Sequence, residues 1–137
     1  MSDNSIRYTL PKEERLYAQK RIDKLFSGVS SFICYPLRIV YLEKKTEEGG
    51  KASVSIMVSV SKKYFKRAVK RNRVKRLIRE AYRLNKADFM DIANSAGSSF
   101  DIAFLFLKSE LPSYAEIEKA MRKCIVTLQE KAKRVEE

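Results

Sequence analysis

Residues 52–60 read ASVSIMVSV, which is the clearest strand pattern in the chain. Val54, Ile56, Val58 and Val60 point to one side of an extended chain, and mostly serines point to the other. Alternation with period two and β-branched residues on one side is typical of a strand with one buried face. The stretch therefore predicts a strand that needs a covering layer, and the next long segment is suited to supply it.

That next segment is strongly basic. Residues 62–79 hold 10 Lys and Arg and no acid, whereas the whole chain has 29 basic and 17 acidic residues and a net charge of +12, so the rest nets only +2. Residues 69–86 contain no Gly or Pro, and Val74, Leu77, Ile78, Ala81 and Asn85 fall on one helical face. Asn72, Arg76, Arg79 and Arg83 fall on the opposite face, with Arg73 and Lys75 beside them. We predict a helix with its apolar side on the sheet and its basic side outward.

Upstream of this unit, the sequence predicts a helix and a strand. A helical pattern covers residues 12–26 after Pro11 and ends at Gly28, a plausible left-handed cap. Residues 37–43, LRIVYLE, predict a strand. Residues 47–50, Glu-Glu-Gly-Gly, then predict a hairpin connection to the strand at 52–60.

Downstream, residues 88–99 are polar and predict a loop, and the apolar residues 100–107 predict a strand covered on both faces. Ser113 and Glu116 match a capping box that opens a last helix, whose apolar stripe runs from Ile117 to Ala132. The order is α-β-β-α-β-α, an α/β (α+β) two-layer sandwich on a small mixed sheet in which 52–60, the basic helix and 100–107 form a parallel crossover. We expect one domain over residues 1–137, with loosely ordered ends at 1–7 and 130–137.

The composition argues against several kinds of protein. There is no histidine, the usual general acid–base residue, and Cys34 and Cys124 have no ligand-like spacing. Asp88 and Asp91 are the nearest close carboxylate pair and have no companion, so we nominate no catalytic residue and no metal ligand. The polar start lacks signal-peptide order and no apolar run could span a bilayer, so we expect a cytoplasmic protein with reduced thiols.

The outward basic face could be a solvated surface, a membrane-binding surface or a nucleic-acid interface. Solvated faces usually mix charges of both signs, and like charges four residues apart destabilise a helix. A membrane helix needs large apolar residues beside its cations, whereas the apolar side of this helix is needed for the sheet. Nucleic acid is the interpretation that we favour, because phosphate offsets the repulsion and arginine binds it bidentately.

Two motifs in this region carry a family resemblance. Residues 59–63, SVSKK, and residues 68–81, AVKRNRVKRLIREA, resemble the signature of the bacterial ribonuclease P protein. The resemblance extends more loosely over residues 8–132, where Ile22, Phe26, Gly28 and Tyr41 match family positions. The chain departs from the family pattern at Ile22, often Phe, at residues 55–57, often Arg-Val-Gly, and in the bulky gap Tyr-Phe-Lys-Arg at 64–67.

The resemblance implies a fold with an unusual left-handed βαβ crossover, similar to ribosomal protein S5 domain 2, against the general right-handed rule. It implies the protein subunit of ribonuclease P, which assists removal of the 5′ leader from precursor tRNA. Phosphodiester hydrolysis is then expected from the RNA subunit with Mg²⁺ at the RNA active site, and no cofactor is expected on the protein. The expected complex has one protein monomer and one ribonuclease P RNA.

The resemblance also assigns residues. The ribonuclease P RNA would contact a set of basic residues and one asparagine, namely Lys62, Lys63, Lys70, Arg71, Asn72, Arg73, Lys75, Arg76 and Arg79. The single-stranded leader would lie in a cleft between the first helix and the sheet, lined by Ile22, Phe26 and Tyr41.

Alternatives stay open for these residues and for the whole chain. Asn72 could be a simple helix cap, and the three cleft residues could all be core. A structural RNA-binding protein would share the fold class and the charge. A DNA-binding module would place the basic helix in a major groove, although such helices usually carry more residues that read bases. An autonomous nuclease would need a cluster of carboxylates that this sequence does not show.

Overall fold

The computed structural model of the chain describes residues 19–27, 30–47 and 50–136. Its elements, in chain order, are α1 (Gln19–Ser27), β1 (Ser31–Cys34), β2 (Leu37–Lys45), β3 (Val54–Val60), α2 (Ala68–Ala96), β4 (Ser98–Phe106) and α3 (Tyr114–Glu136). Residues 1–18 lie outside the described part, and so does Gly28, so the first half of the predicted helix 12–26 and its cap are not placed.

The sheet has four strands in the order β1-β2-β4-β3. β2 is antiparallel to both β1 and β4, whereas β3 is parallel to β4. The predicted mixed sheet and the parallel β3-α2-β4 crossover are confirmed, and the left hand of that crossover stays a prediction. The hairpin predicted at 47–50 is wrong, because β4 lies between β2 and β3.

β1 is a strand that the sequence analysis did not predict. It has four residues and turns into β2 through Tyr35 and Pro36, whose peptide bond is cis. Ile33 is exposed and Phe32 is half-buried, so the strand shows no clear alternation. So short a segment carries little periodic signal.

The two faces of the sheet are covered differently. Phe100, Ile102 and Phe104 of β4 point to the face on which α2 and α3 pack, and this face holds the main core. On the other face α1 packs on β2 and β4, where Leu25 meets Val40 and Ala103 in a smaller cluster. The sheet with α2 and α3 forms the predicted two layers, and the short α1 adds to the opposite side.

α2 is longer than predicted, and the loop predicted at 88–99 is wrong. Phe89, Ile92, Ala93 and Ala96 are buried, and their spacing of three and four continues the inward stripe of the helix. The polar residues of this segment that lie in the helix, Asp88, Asp91, Asn94 and Ser95, are exposed. Gly97 ends the helix at a φ of 61°, and its N–H bonds to the carbonyl oxygens of the last turn.

α3 begins as the sequence predicts. The backbone N–H of Glu116 donates to Ser113 Oγ at 3.1 Å, which is one half of the predicted capping box. The Glu116 carboxylate instead accepts a 2.6 Å hydrogen bond from Lys108 Nζ. Cys124 on this helix and Cys34 on β1 are both buried free thiols.

Candidate nucleic-acid interface

The first half of α2 has the two-sided character that the sequence predicts. Val74 and Ile78 have no solvent exposure and pack into the core between sheet and helices. On the opposite side Arg73, Arg76 and Arg79 are exposed. The helix therefore presents three arginine side chains at its solvent-exposed side, and guanidinium groups are well suited to bind phosphates.

The turn that leads from β3 into α2 presents two more cations. Ser61 organises this turn, since its carbonyl oxygen accepts the N–H of Tyr64 at 3.0 Å and its Oγ accepts the N–H of Lys63 at 3.1 Å. Lys62 and Lys63 are exposed, and Lys63 Nζ lies 5.5 Å from the centre of the Tyr64 ring. Both lysines are thus held beside the beginning of the basic helix.

The bulky gap at 64–67 has a structural role. Phe65 is buried and its ring stacks on Phe106 at the end of β4, with the ring centres 6.1 Å apart and an interplanar angle of 24°. Lys66 and Arg67 remain exposed. The departure from the family pattern therefore adds an aromatic anchor below the turn and two cations on its surface.

Arg71 differs from the other arginines of the row. It is half-buried, and its Nη1 donates to the carbonyl oxygens of Phe65 and Lys66, both at 2.8 Å. The N-cap residue Arg67 makes no side-chain cap hydrogen bond. Arg71 therefore holds the turn against the first part of α2, a role that its sequence position alone does not reveal.

The remaining predicted residues of the basic face lie on the same part of α2. Asn72 is exposed and lies inside the helix, five residues after the N-cap, so the interpretation of Asn72 as a helix cap is wrong. Lys70 is exposed and Lys75 is half-buried.

An ion pair marks the far end of the basic face. The Arg83 guanidinium donates to both oxygens of Glu80, from Nε at 3.0 Å and from Nη2 at 2.6 Å. These hydrogen bonds lower the pKa of the Glu80 carboxyl below its ordinary value. Arg83 is therefore largely neutralised locally, and the acid-free row of cations ends at Arg79.

The structure does not bring the three predicted cleft residues together. Ile22 packs on the small cluster under α1, and Phe26 of α1 is 45% exposed. Tyr41 lies on the opposite face of the sheet, with its ring 5.9 Å from Phe32 and 6.5 Å from Phe100. Burial raises the pKa of the Tyr41 hydroxyl. The grouping fails because the direction of a strand side chain depends on register, and Tyr41 pairs with the inward-facing Ile102.

Sequence analysis missed a row of residues on the α1 face. Ile33, Arg38, Leu105 and Ser59 are consecutive cross-strand neighbours on β1, β2, β4 and β3. Ile33 and Arg38 are exposed, whereas Leu105 and Ser59 are half-buried. The signal was present in the sequence, since Arg38 is a cation among the otherwise apolar residues 37–42.

The acidic pair is far from the basic face. Asp88 and Asp91 are exposed on the second half of α2 and line a groove of about 260 Å³ between α2 and α3, together with Ser95 and Gln129. Within residues 19–27, 30–47 and 50–136 there is no group of three or more His, Cys, Asp or Glu placed to hold a metal ion. No helix in that part of the chain is both long enough and apolar enough to cross a membrane.

Comparison with known proteins settles the family. The family model described as Ribonuclease P matches residues 10–129 of the chain, which include both signature motifs, α2 and the whole sheet. The chain belongs to the ribonuclease P protein family. The predicted family resemblance is thereby confirmed.

Relatives agree with this membership of the ribonuclease P family, and solved structures show a similar fold. The ribonuclease P protein component of Porphyromonas gingivalis is 45% identical over 121 residues, covering 88% of this chain and 87% of the relative. That of Clostridium kluyveri is 45% identical over 119 residues, covering 86% and 91%. The fold is similar to that of the ribonuclease P protein of Staphylococcus aureus, with a TM-score of 0.63 and 18% sequence identity over 83% of this chain and 94% of the other. It is also similar to that of the ribonuclease P protein of Thermotoga maritima, with a TM-score of 0.62 and 20% sequence identity over 82% of this chain and 94% of the other.

Proposed function

We propose that this chain is the protein subunit of ribonuclease P and assists endonucleolytic removal of the 5′ leader from precursor tRNA. The observation that carries the proposal is the outward row of cations on the first half of α2, together with membership of the family. A row with exposed arginines and no acid is suited to a folded polyanion. The residues outside 62–79 carry a net charge of only +2.

The ribonuclease P RNA is the proposed partner of the basic face. Lys62, Lys63, Lys70, Arg73, Lys75, Arg76 and Arg79 would neutralise its phosphates and release counterions, and Asn72 would add a neutral hydrogen-bonding group. Arg71 would act mainly through the turn that it holds. Contacts of this type position an RNA more than they read its sequence.

The 5′ leader is the proposed partner of the α1 face of the sheet. The exposed ring of Phe26 offers a stacking surface, and Arg38 offers a phosphate contact next to the half-buried Leu105. Ile22 supports α1 from the sheet side. Tyr41 is left out of this site because it lies on the other face of the sheet, the one that α2 and α3 cover.

The chemistry is proposed to belong to the RNA. Hydrolysis of a phosphodiester with metal ions needs convergent ligands, and the proposal places Mg²⁺ and its ligands at the active site of the RNA subunit. The protein would lower the magnesium concentration that the RNA needs, because fixed cations replace part of the ion atmosphere. We further propose one protein monomer per RNA and action in the cytoplasm.

The decisive experiment measures cleavage of precursor tRNA by the cognate ribonuclease P RNA at low magnesium, with and without the protein. We expect the protein to restore accurate 5′ cleavage and the double variant Arg73→Glu with Arg76→Glu to lose this effect. The matched control is Lys119→Glu with Lys123→Glu, which reverses two exposed charges on α3. Equal loss of activity in both double variants would show that only total charge matters.

A structural RNA-binding protein is the second candidate, since it would have the same fold class and charge. It predicts that the protein binds the ribonuclease P RNA no better than an unrelated RNA of equal length and leaves cleavage unchanged.

Incubation of the purified protein alone with RNA and magnesium tests the nuclease alternative. Cleavage that survives further purification would contradict our assignment of the chemistry to the RNA.

A further inference from the structure

Tyr35 has no role in the interface described so far. It lies in the turn between β1 and β2 and its residue is 64% exposed. The other tyrosines in the described part of the chain, Tyr41, Tyr64, Tyr82 and Tyr114, are half-buried or buried. A tyrosine offers a large apolar ring together with a hydroxyl, and aromatic residues are enriched at interfaces, so Tyr35 is a candidate contact where its surroundings fit a partner.

The register of the sheet places this turn at the basic end of the molecule. Leu37, Phe106 and Val60 form one row across β2, β4 and β3, and Cys34 pairs with Leu37. Tyr35 follows Cys34 just as Ser61 follows Val60, so both leave the sheet at the same end. Since neighbouring strands are about 4.8 Å apart, β2 and β3 are separated by roughly 10 Å.

This end of the molecule is positively charged. Lys62 and Lys63 follow Ser61 and are exposed, and so are Lys66 and Arg67 of the same turn. In the segment after β4, Lys108 is paired with Glu116, and Glu110 is an exposed acid that offsets only part of this charge. An exposed ring among exposed cations fits an unpaired nucleotide, because the ring stacks on the base while the cations attract its phosphates. The same cations disfavour association with a second copy of this chain, whose turn would carry the same charge.

We propose that Tyr35 stacks on an unpaired base of the ribonuclease P RNA. The inference rests on the proposed function and extends the RNA footprint from α2 across the end of the sheet to the β1–β2 turn. The RNA subunit is the favoured ligand because the turn shares its end of the sheet with Lys62, Lys63 and the beginning of α2, which form the proposed contact with that RNA. The leader site lies on the α1 face instead.

The chain contains no tryptophan, which permits a direct test. Tyr35→Trp creates a single indole at the turn, and Val126→Trp creates one on α3, where the residue is 56% exposed. Each variant is titrated with cognate ribonuclease P RNA while binding is followed separately by a label on the RNA. We expect saturable quenching of the indole at position 35 and little change at position 126.

Affinity supplies the second measurement. Tyr35→Ala is expected to weaken binding of the ribonuclease P RNA about tenfold, within the range for loss of one stacked base. Tyr35→Phe should bind as the parent does, since it keeps the ring, and Val126→Ala should also be neutral. Unchanged thermal unfolding of each variant ensures that the native fold is compared.

The outcomes separate this inference from the proposed function. If the Tyr35→Trp protein binds the RNA normally without quenching, or if Tyr35→Ala binds as the parent does, stacking at Tyr35 is wrong and the proposed function stands. Quenching by precursor tRNA alone, and not by the ribonuclease P RNA, would overturn the choice of ligand. If neither the parent protein nor any variant binds the ribonuclease P RNA in preference to other RNAs, the proposed function itself fails.

Discussion

At the scale of single residues, Arg71 and Arg73 show that neighbouring cations in one motif have different tasks. Arg71 donates two hydrogen bonds to backbone carbonyl oxygens of the preceding turn, whereas Arg73 is exposed on the outer side of α2. The first arginine contributes to the shape of the proposed interface and the second to its charge. Substitutions at the two positions should therefore change different measured quantities.

We predict that Arg71→Met lowers the free energy of unfolding by about 1–2 kcal/mol, because it removes charge-assisted hydrogen bonds that are only partly shielded from water. Arg73→Met removes the same charge and should change stability by less than about 0.5 kcal/mol. Urea unfolding of both variants measures the difference. Equal stabilities would show that Arg71 does not hold the turn.

Cys124 provides a residue-scale prediction about pH. Its thiol is fully buried, and burial raises its pKa far above the ordinary value. The unfolded chain therefore loses this proton first as pH rises above about 8.5, while the folded chain retains it. By linkage, the thiol contributes stability that is present below that pH and is lost progressively above it.

The expected result is that Cys124→Ala flattens the fall in stability between neutral and strongly alkaline pH, whatever its effect at neutral pH. Cys34→Ala is the comparison, and its effect on the slope should be smaller. Burial raises the pKa of Cys34 too, but a hydrogen bond with Thr127 and the charge of Lys123 act in the opposite direction. Denaturant unfolding at a series of pH values measures both slopes, and parallel curves for parent and Cys124→Ala would contradict the prediction.

At the scale of elements, α2 joins two functions in one helix. Its first half carries the exposed cations. Its second half buries Phe89 and Ile92 in the core and ends at the cap residue Gly97. The second half packs against α3 and the sheet, and thereby holds the first half in place. A helix of 29 residues transmits this support over its whole length.

Most of these elements could be predicted because each has a strong periodic pattern. β3 and the basic part of α2 follow periods of 2 and 3.6 over many residues, and the two signature motifs lie in the region of the proposed interface. The extent of α2 could not be predicted, because Asn94, Ser95 and Gly97 resemble a loop unless the buried spacing of Ile92 and Ala96 is weighed against them. The side of Tyr41 could not be predicted, because it depends on the register in which β2 pairs with β4, which local sequence does not encode.

The C-cap of α2 gives a prediction with little steric complication. Gly97 has a left-handed φ, and a Cβ built there meets no atom within 4 Å. Gly97→Ala should therefore cost about 1 kcal/mol from backbone conformation alone. Gly97→Asn should cost less, since Asn tolerates this conformation better. Thermal or urea unfolding of the two variants checks the order, and equal losses would point to a cause other than the backbone angle.

At the scale of the whole molecule, the charge is concentrated at one end. Of the net +12, all but +2 comes from residues 62–79, while the groove between α2 and α3 presents Asp88 and Asp91. The molecule is thus electrically asymmetric, and its field can orient it before contact with an RNA. Most of the electrostatic part of binding should come from this end.

Salt dependence of RNA binding measures this asymmetry. Arg73→Gln and Arg76→Gln should each reduce the slope of log affinity against log salt by about 0.7–0.9, since each removes one phosphate contact. Lys119→Gln removes an exposed cation from α3 and should leave the slope unchanged. An equal reduction of the slope in all three variants would show that binding depends on the total charge of the protein and not on where the cations lie.

The strand order also determines how the chain can be assembled during its synthesis. β4 lies between β2 and β3, yet it is made after both of them and after the whole of α2. Until residues 98–106 have left the ribosome, β2 and β3 each present an unpaired backbone edge, and the apolar side of α2 has only half a sheet to cover. The sheet can therefore form only after its central strand has been synthesised. A product that terminates before residue 98 would keep the unpaired edges of β2 and β3 and could not form the folded sheet.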